Sequence, residues 1–142
     1  PRHEDNQAVH RAAVAEAIAW SVARGADPAR VSLVAFSQPC SFDYRLALAP
    51  PHGHALRTVV ALCGGLPGEW TEPGPDTAAS SPTHALHVST DADEYYPLER
   101  VAPFASLLAS RFASARHEIH HGGHRIPSTA ILVVKGFLET HG

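Results

Sequence analysis

The segment that decides the fold is Val31-Ser-Leu-Val-Ala-Phe-Ser-Gln-Pro39, an apolar and β-branched run that ends abruptly at Ser37. Residues Pro39 to Ala49 follow at once with a helix-like pattern. A strand, a sharp turn with a serine at its tip and then a helix is the layout of a nucleophile elbow. Such a turn lifts the hydroxyl clear of the sheet and directs backbone N–H groups toward it. By itself, the segment is equally compatible with an ordinary serine in a strand-to-helix turn.

The segment departs from the usual elbow spelling, G-x-S-x-G, at both glycines, where it has Ala35 and Pro39. Ala35 is small enough for the crowded flank of the turn. Pro39 would fall in the first turn of the helix, where its missing N–H has no helical partner to lose. Gln38 keeps its own N–H, so a donor beside the serine survives. The sequence is therefore compatible with a working elbow.

The rest of the chain alternates predicted strands with predicted helices. This alternation indicates a parallel α/β sheet with right-handed crossovers, and we expect residues 1–142 to form one compact domain. The loop Leu66–Pro82 is long, and we expect it to overhang the edge of the sheet where the serine lies. The predicted elements are helix Asn6–Arg24, strand Val31–Phe36, helix Pro39–Ala49, strand Arg57–Cys63, strand His84–Ser89, helix Leu98–Phe112, strand Arg116–His120 and helix Ser128–Thr140.

Two later strands are followed by a carboxylate and a histidine. The third strand leads into Thr90–Pro97, which contains Asp93, and the fourth leads into His121–Pro127, which contains His124. The order serine, carboxylate, histidine is the chain order of the α/β-hydrolase triad. Ligands bind at the carboxyl ends of strands in open α/β sheets. Three such residues at three strand ends therefore predict one common site.

Four segments resemble the phospholipase/carboxylesterase type of α/β-hydrolase: Ala35–Ala47, Val59–Trp70, Asp93–Pro97 and Gly122–Pro127. The resemblance extends over nearly the whole chain from about Val31. It implies a truncated, three-layer α/β-hydrolase-like fold with a mainly parallel sheet of about four strands.

The same resemblance implies a role for four residues. Ser37 would be the nucleophile, Asp93 the acid, His124 the base, and the Gln38 N–H an oxyanion donor. A hydrolase of this kind cleaves small carboxylic esters through an acyl-enzyme and needs no cofactor. We expect Trp70, Tyr95 and Tyr96 to contact the substrate, and no metal to take part.

A family member of this type has further strands and a His-Gly-type loop before the strand that matches Val31–Phe36. That loop normally supplies the second oxyanion donor, whereas here one predicted helix precedes Val31. The chain is therefore either a fragment of a longer hydrolase or a compact version. The alternative function is a catalytically weak or inactive hydrolase-like fragment that acts as an interaction domain.

Several residues compete with Asp93 and His124 for these roles. Asp91 is the fallback acid, and the histidines at positions 117, 120 and 121 neighbour His124. Alternation along a strand puts His117 and His121 on one face and His120 on the other, which weakens a shared metal site. His124 follows two glycines, and their small size lets a loop carry the ring to the serine.

Composition and charge narrow the range of partners. The net charge of −3 and the pI of about 6.4 give no basic footprint for nucleic acid or for acidic membranes. Two cysteines are too few for a disulfide scaffold, so we expect a reducing, cytoplasmic location. The apolar strand Val31–Phe36 would be an uncharged sheet edge, and such edges pair with other chains. We therefore expect a homodimer formed through this strand, and the alternative is that helix Asn6–Arg24 folds over the edge and covers it.

Overall fold

The strands of the molecule form one parallel sheet in the order β1-β2-β3-β4. The structure is a computed structural model and describes residues 2–72 and 80–142. Within these residues the sheet has four strands, so the predicted α/β class with a four-stranded parallel sheet is confirmed. The strands are β1 Ser32–Phe36, β2 Thr58–Leu62, β3 Ser81–Thr90 and β4 Phe112–His120, and the helices are α1 Arg2–Val22, α2 Pro39–Leu48, α3 Leu98–Val101, α4 Phe104–Ala109 and α5 Ser128–His141.

Both faces of the central strands are covered, which makes the molecule three layers thick. Alternation along β2 directs Val59 toward one face and Val60 toward the other. On the first face, α2 and α4 pack through side chains such as Tyr44 and Phe104. On the opposite face, α5 packs through Phe137. Burial on two faces explains why β2 is almost continuously apolar in the sequence.

Helix α1 lies against α2 and against the chain that follows α2. His10 Nε2 is 2.6 Å from a carboxylate oxygen of Asp43, and Arg11 donates to the carbonyl of Ala49 at 2.7 Å. No residue of α1 is fully buried. Within the described residues, no strand pairs with the outer side of β1, where Val34 is 53% exposed and Phe36 is 37% exposed.

The predicted helix Leu98–Phe112 is wrong as a single element. It is divided into α3 and α4 at Pro103, since a proline has no N–H to continue the helical hydrogen bonds. Phe112 already belongs to β4, which pairs with the start of β3 at Ser81. Both strands are therefore longer than the sequence indicated.

The loop after β2 is only partly described. A short 3₁₀ turn at Gly68–Trp70 follows β2, and β3 begins at Ser81. Residues 73–79 lie outside the described residues, so our expectation about the position of this loop stays a prediction. Among the described helices, none is long and apolar enough to cross a membrane.

Candidate active site

Ser37 sits on a strained turn between β1 and α2. Its φ of 66° lies in the left-handed region, which residues with a side chain seldom adopt. The turn is held because the Ser37 N–H donates to the carbonyl of Leu62 on β2 at 2.9 Å. Strained backbone of this kind persists only where the surroundings enforce it, and it is concentrated at functional sites.

Three predicted residues form a continuous hydrogen-bonded series. Ser37 Oγ is 2.9 Å from His124 Nε2, and His124 Nδ1 is 2.9 Å from Asp93 Oδ2. The serine follows β1, the aspartate follows β3 and the histidine follows β4. These side chains meet because parallel strands all end at the same edge of the sheet.

Asp93 is held as a carboxylate by its surroundings, although only 3% of it is exposed. Burial acts to raise the pKa of Asp93, but hydrogen bonds from His124 and from the N–H groups of Tyr95 and Tyr96 outweigh it and lower the pKa below the ordinary value. Both N–H groups donate to Oδ1, at 2.9 and 3.1 Å, which leaves Oδ2 for the histidine. An ionised, fixed carboxylate therefore faces His124 Nδ1.

Gln38 opens α2 immediately after the serine. Among the described residues, its backbone N–H has no hydrogen-bond partner, and the side chain forms no cap. Helix α2 begins with Pro39, so this end of the helix adds partial positive charge and one free donor beside the serine hydroxyl. The Gln38 N–H therefore has no competing partner among the described residues, and its role as an oxyanion donor stays a prediction.

Comparison with known structures identifies the fold. The structure matches that of the esterase PE8 with a TM-score of 0.76 at 23% identity, over 99% of this chain and 62% of that one. It matches the Bacillus cereus carboxylesterase with a TM-score of 0.71 at 14% identity, over 96% and 62% of the two chains. The Arabidopsis thaliana protein SOBER1 gives 0.71 at 18%, over 92% and 61%.

This chain has the α/β-hydrolase fold. It spans 61–62% of the length of these three structures. The sequence matches no family model. No curated protein matches it either. In this fold the serine, the acid and the histidine come in that order along the chain, which is also the order of Ser37, Asp93 and His124.

Aromatic rings enclose His124 on three sides. The centroid of its imidazole lies 5.0 Å from that of Phe36, 4.8 Å from that of Tyr95 and 5.9 Å from that of Tyr96. The two tyrosines therefore lie beside His124, and their predicted contact with a substrate stays a prediction. The contact of Phe36 was not foreseen, although its place directly before the serine is a usable signal. These contacts restrict the orientation of the imidazole and leave 16% of the His124 side chain exposed.

Trp70 is placed differently from our expectation that it would contact the substrate. Its ring packs against the core side chains Tyr44 and Phe112, at centroid distances of 5.6 and 6.1 Å. The 3₁₀ turn after β2 packs this partly buried ring against the core, because contact there removes part of its large surface from water. The structure does not bring Trp70 to Ser37.

The rival residues have other partners. Asp91 accepts from the N–H of Gly122 at 3.0 Å and lies 3.0 Å from the exposed ring of His121. His117 bonds to the hydroxyl of Ser89, and His120 bonds to Glu118 and Thr129. Within residues 2–72 and 80–142, no group of three or more histidine, cysteine, aspartate or glutamate side chains could hold a metal ion.

Proposed function

We propose that this chain carries the catalytic centre of a serine hydrolase that cleaves small carboxylic esters. The observation that carries the proposal is the hydrogen-bonded series from Asp93 through His124 to Ser37, with the serine at a φ of 66°. A serine, a histidine and a buried carboxylate in this order are the working parts of acyl transfer. The esterases of similar fold support the same reading.

The acylation step uses each of these three residues. Ser37 Oγ attacks the ester carbonyl carbon while His124 Nε2 takes the hydroxyl proton. The carboxylate of Asp93 accepts from Nδ1–H, which keeps Nε2 free to act as the base and stabilises the imidazolium that forms. The imidazolium then gives its proton to the departing alkoxide, and the acyl group stays on Ser37 as an ester.

Deacylation repeats the same proton transfers with water in place of the serine. His124 removes a proton from a water molecule, which attacks the acyl carbon. Collapse of the tetrahedral intermediate returns the proton to Ser37 and releases the carboxylic acid. Each bond formed and broken balances without a cofactor.

The negative oxygen of each tetrahedral intermediate needs hydrogen-bond donors, and Gln38 N–H is the donor that we assign. Loss of one oxyanion donor typically reduces the rate by about 10²–10³-fold. A site with a single donor would therefore turn over slowly. For this reason, covalent labelling of the serine is a more sensitive test than turnover.

The test combines a fluorophosphonate probe with hydrolysis of p-nitrophenyl acetate and butyrate. We expect the probe to label Ser37, and both labelling and hydrolysis to be lost in Ser37→Ala. The matched control is Ser106→Ala, since Ser106 is an exposed serine on α4 whose hydroxyl bonds to Pro103. Labelling at another serine, or activity retained in Ser37→Ala, would contradict the assignment. Absence of both signals in the folded wild-type chain favours the alternative, an inactive hydrolase-like interaction domain.

We further propose that two copies of the chain pair through the outer edge of β1. The strand has no charged residue or proline, and Val34 and Phe36 leave an apolar strip beside it. Twofold pairing of such an edge is antiparallel and joins two four-stranded sheets. It also brings the start of one β1 beside Ser37 of the other copy, where further backbone N–H groups are needed. The side-chain hydrogen bonds of helix α1 to the rest of the chain go to α2 and to the segment beyond it, which supports an open edge at β1.

A further inference from the structure

A cleft of about 310 Å³ opens beside the elbow. Its lining includes Gln38, Gly65, Tyr96 and Arg100. Because Gln38 carries the assigned oxyanion donor, a group that lies in this cleft would belong to the same substrate molecule as the reacting carbonyl. The charges of the cleft therefore bear on which esters the site accepts.

One of the two arginines at the cleft is already neutralised. Arg45 makes two hydrogen bonds to the carboxylate of Glu69, at 2.8 and 2.6 Å. Such a paired fork binds both oxygens of the carboxylate and leaves little charge for a ligand. Of the two arginines, Arg100 is the one whose charge remains available in the cleft. The lining also includes His3.

Arg100 is fixed in place without a carboxylate. Its Nη1 donates to the carbonyl of Tyr95 at 3.1 Å, and its guanidinium carbon lies 4.8 Å from the centre of the Tyr96 ring. Among the described residues, no aspartate or glutamate pairs with it. A guanidinium that is held by a backbone carbonyl and a ring face has further N–H groups, which suit a planar, bidentate anion.

One ring, Tyr96, contacts both this guanidinium and His124. The Tyr96 ring that supports Arg100 also lies 5.9 Å from the ring of His124. Opposite it, a Cβ on Gly65 would come within 2.9 Å of the Tyr96 ring and 3.8 Å of Arg100 Nη2. The glycine therefore keeps open the space between the guanidinium and the loop after β2.

We propose that the preferred substrates are esters that carry a carboxylate, and that Arg100 binds this carboxylate in the cleft. The inference rests on the proposed function and adds the substrate class. The paired side chains of Arg45 and Glu69 form an electrically neutral side of the cleft. Tyr96 contacts both Arg100 and His124 and so fixes the distance between the substrate carboxylate and His124. The carboxylate belongs either to the acyl part or to the alcohol part of the ester, and the two arms of the test separate these cases.

The first arm compares mono-p-nitrophenyl glutarate with p-nitrophenyl pentanoate, and the second compares the acetate esters of 3-hydroxybenzoate and of phenol. Each kcat/KM is divided by the rate of hydroxide-catalysed hydrolysis. In one arm we expect the carboxylate ester to be favoured about tenfold, mainly through a lower KM, with less preference at high salt. In Arg100→Gln, the normalised preference for the carboxylate ester should disappear. In Arg100→Lys, part of this preference should remain.

The control is Arg116→Gln, because Arg116 is an exposed arginine that pairs with Glu118 on β4. Its ratio should match that of the wild type. No preference in either arm, or a preference that survives Arg100→Gln, overturns the proposal.

A binding measurement separates this inference from the proposed function. Glutarate is titrated by calorimetry into Ser37→Ala and into the double variant Ser37→Ala/Arg100→Gln. Saturable binding to the first and at least tenfold weaker binding to the second supports the carboxylate site even if the chain hydrolyses neither ester. Equal binding to both variants, or none to either, overturns it, whatever the activity.

Discussion

Gly64 lies directly beneath Ser37, so close that a Cβ at Gly64 would be 2.5 Å from the carbonyl oxygen of Ser37. The same atom would collide with the side chain of Cys40. Gly64 follows β2, and the elbow at the end of β1 rests against it. The position of the serine hydroxyl therefore depends on a residue without a side chain on the neighbouring strand.

We predict that Gly64→Ala displaces the elbow and removes activity. Overpacking of this kind typically costs about 1–3 kcal/mol of unfolding free energy. The control is Gly68→Ala in the same loop, where an added Cβ meets nothing within 4 Å. Urea denaturation and fluorophosphonate labelling of both variants provide the comparison. Wild-type labelling and stability in Gly64→Ala would show that the contact is unimportant.

We predict that Asp93→Asn lowers kcat by as much as about 10⁴-fold. The amide oxygen of asparagine still accepts from Tyr95 and Tyr96, but its NH₂ group favours the imidazole tautomer that cannot accept the serine proton. Asp91→Asn is the matched control, since Asp91 also follows β3 and bonds to a histidine, His121. Initial rates with p-nitrophenyl acetate distinguish the two. Similar losses in both variants would mean that the acid has been assigned to the wrong carboxylate.

We predict that the chain loses stability in acid because of His87. This side chain is fully buried, and desolvation, assisted by the neighbouring His117, lowers its pKa from 6.5 to about 3. Between pH 6.5 and about pH 3, His87 is protonated in the unfolded chain and neutral in the folded chain. The contribution of His87 is therefore complete above pH 6.5 and is lost as the pH falls toward 3, at a limiting slope of about 1.4 kcal/mol per pH unit.

Urea denaturation at pH 7 and at pH 5 tests this. In the double variant Tyr44→Phe/His87→Leu, we expect the free energy of unfolding to differ less between pH 7 and pH 5 than it does in the wild type. Both residues change together because the Tyr44 hydroxyl lies 2.8 Å from His87 Nδ1 and would otherwise lose its partner. The control is His121→Gln, whose ring is 94% exposed. An unchanged pH dependence in the double variant would rule out His87 as the cause.

We predict that Val34→Lys prevents pairing of β1 edges, since a charge on an edge strand opposes strand addition. The wild-type chain should elute as a dimer in size exclusion with light scattering, and the variant as a monomer near 15.1 kDa. Leu132→Lys, at a residue of α5 that is 76% exposed, controls for the loss of a surface apolar group. A wild-type monomer would disprove the dimer.

The sequence by itself determined the order of the strands and the strand ends where the candidate catalytic side chains lie. The apolar run that stops at Ser37 is a local signal, and so are the glycines before His124. Such signals depend on neighbours in the chain and can be read without the fold. The break at Pro103 is also a local signal, since a proline cannot continue the hydrogen bonds of a helix.

Only the tertiary structure decided which side chains meet. Asp91 and Asp93 differ by two positions, yet the first reaches His121 and the second reaches His124. This choice follows from the parallel register of β3 and β4, which pairs Thr90 with His120. Trp70 turned into the core for a similar reason, because its burial depends on Tyr44 and Phe112, which are distant in sequence. These partners are determined by contacts between residues that are distant in sequence. A local sequence pattern carries no information about the energies of such contacts.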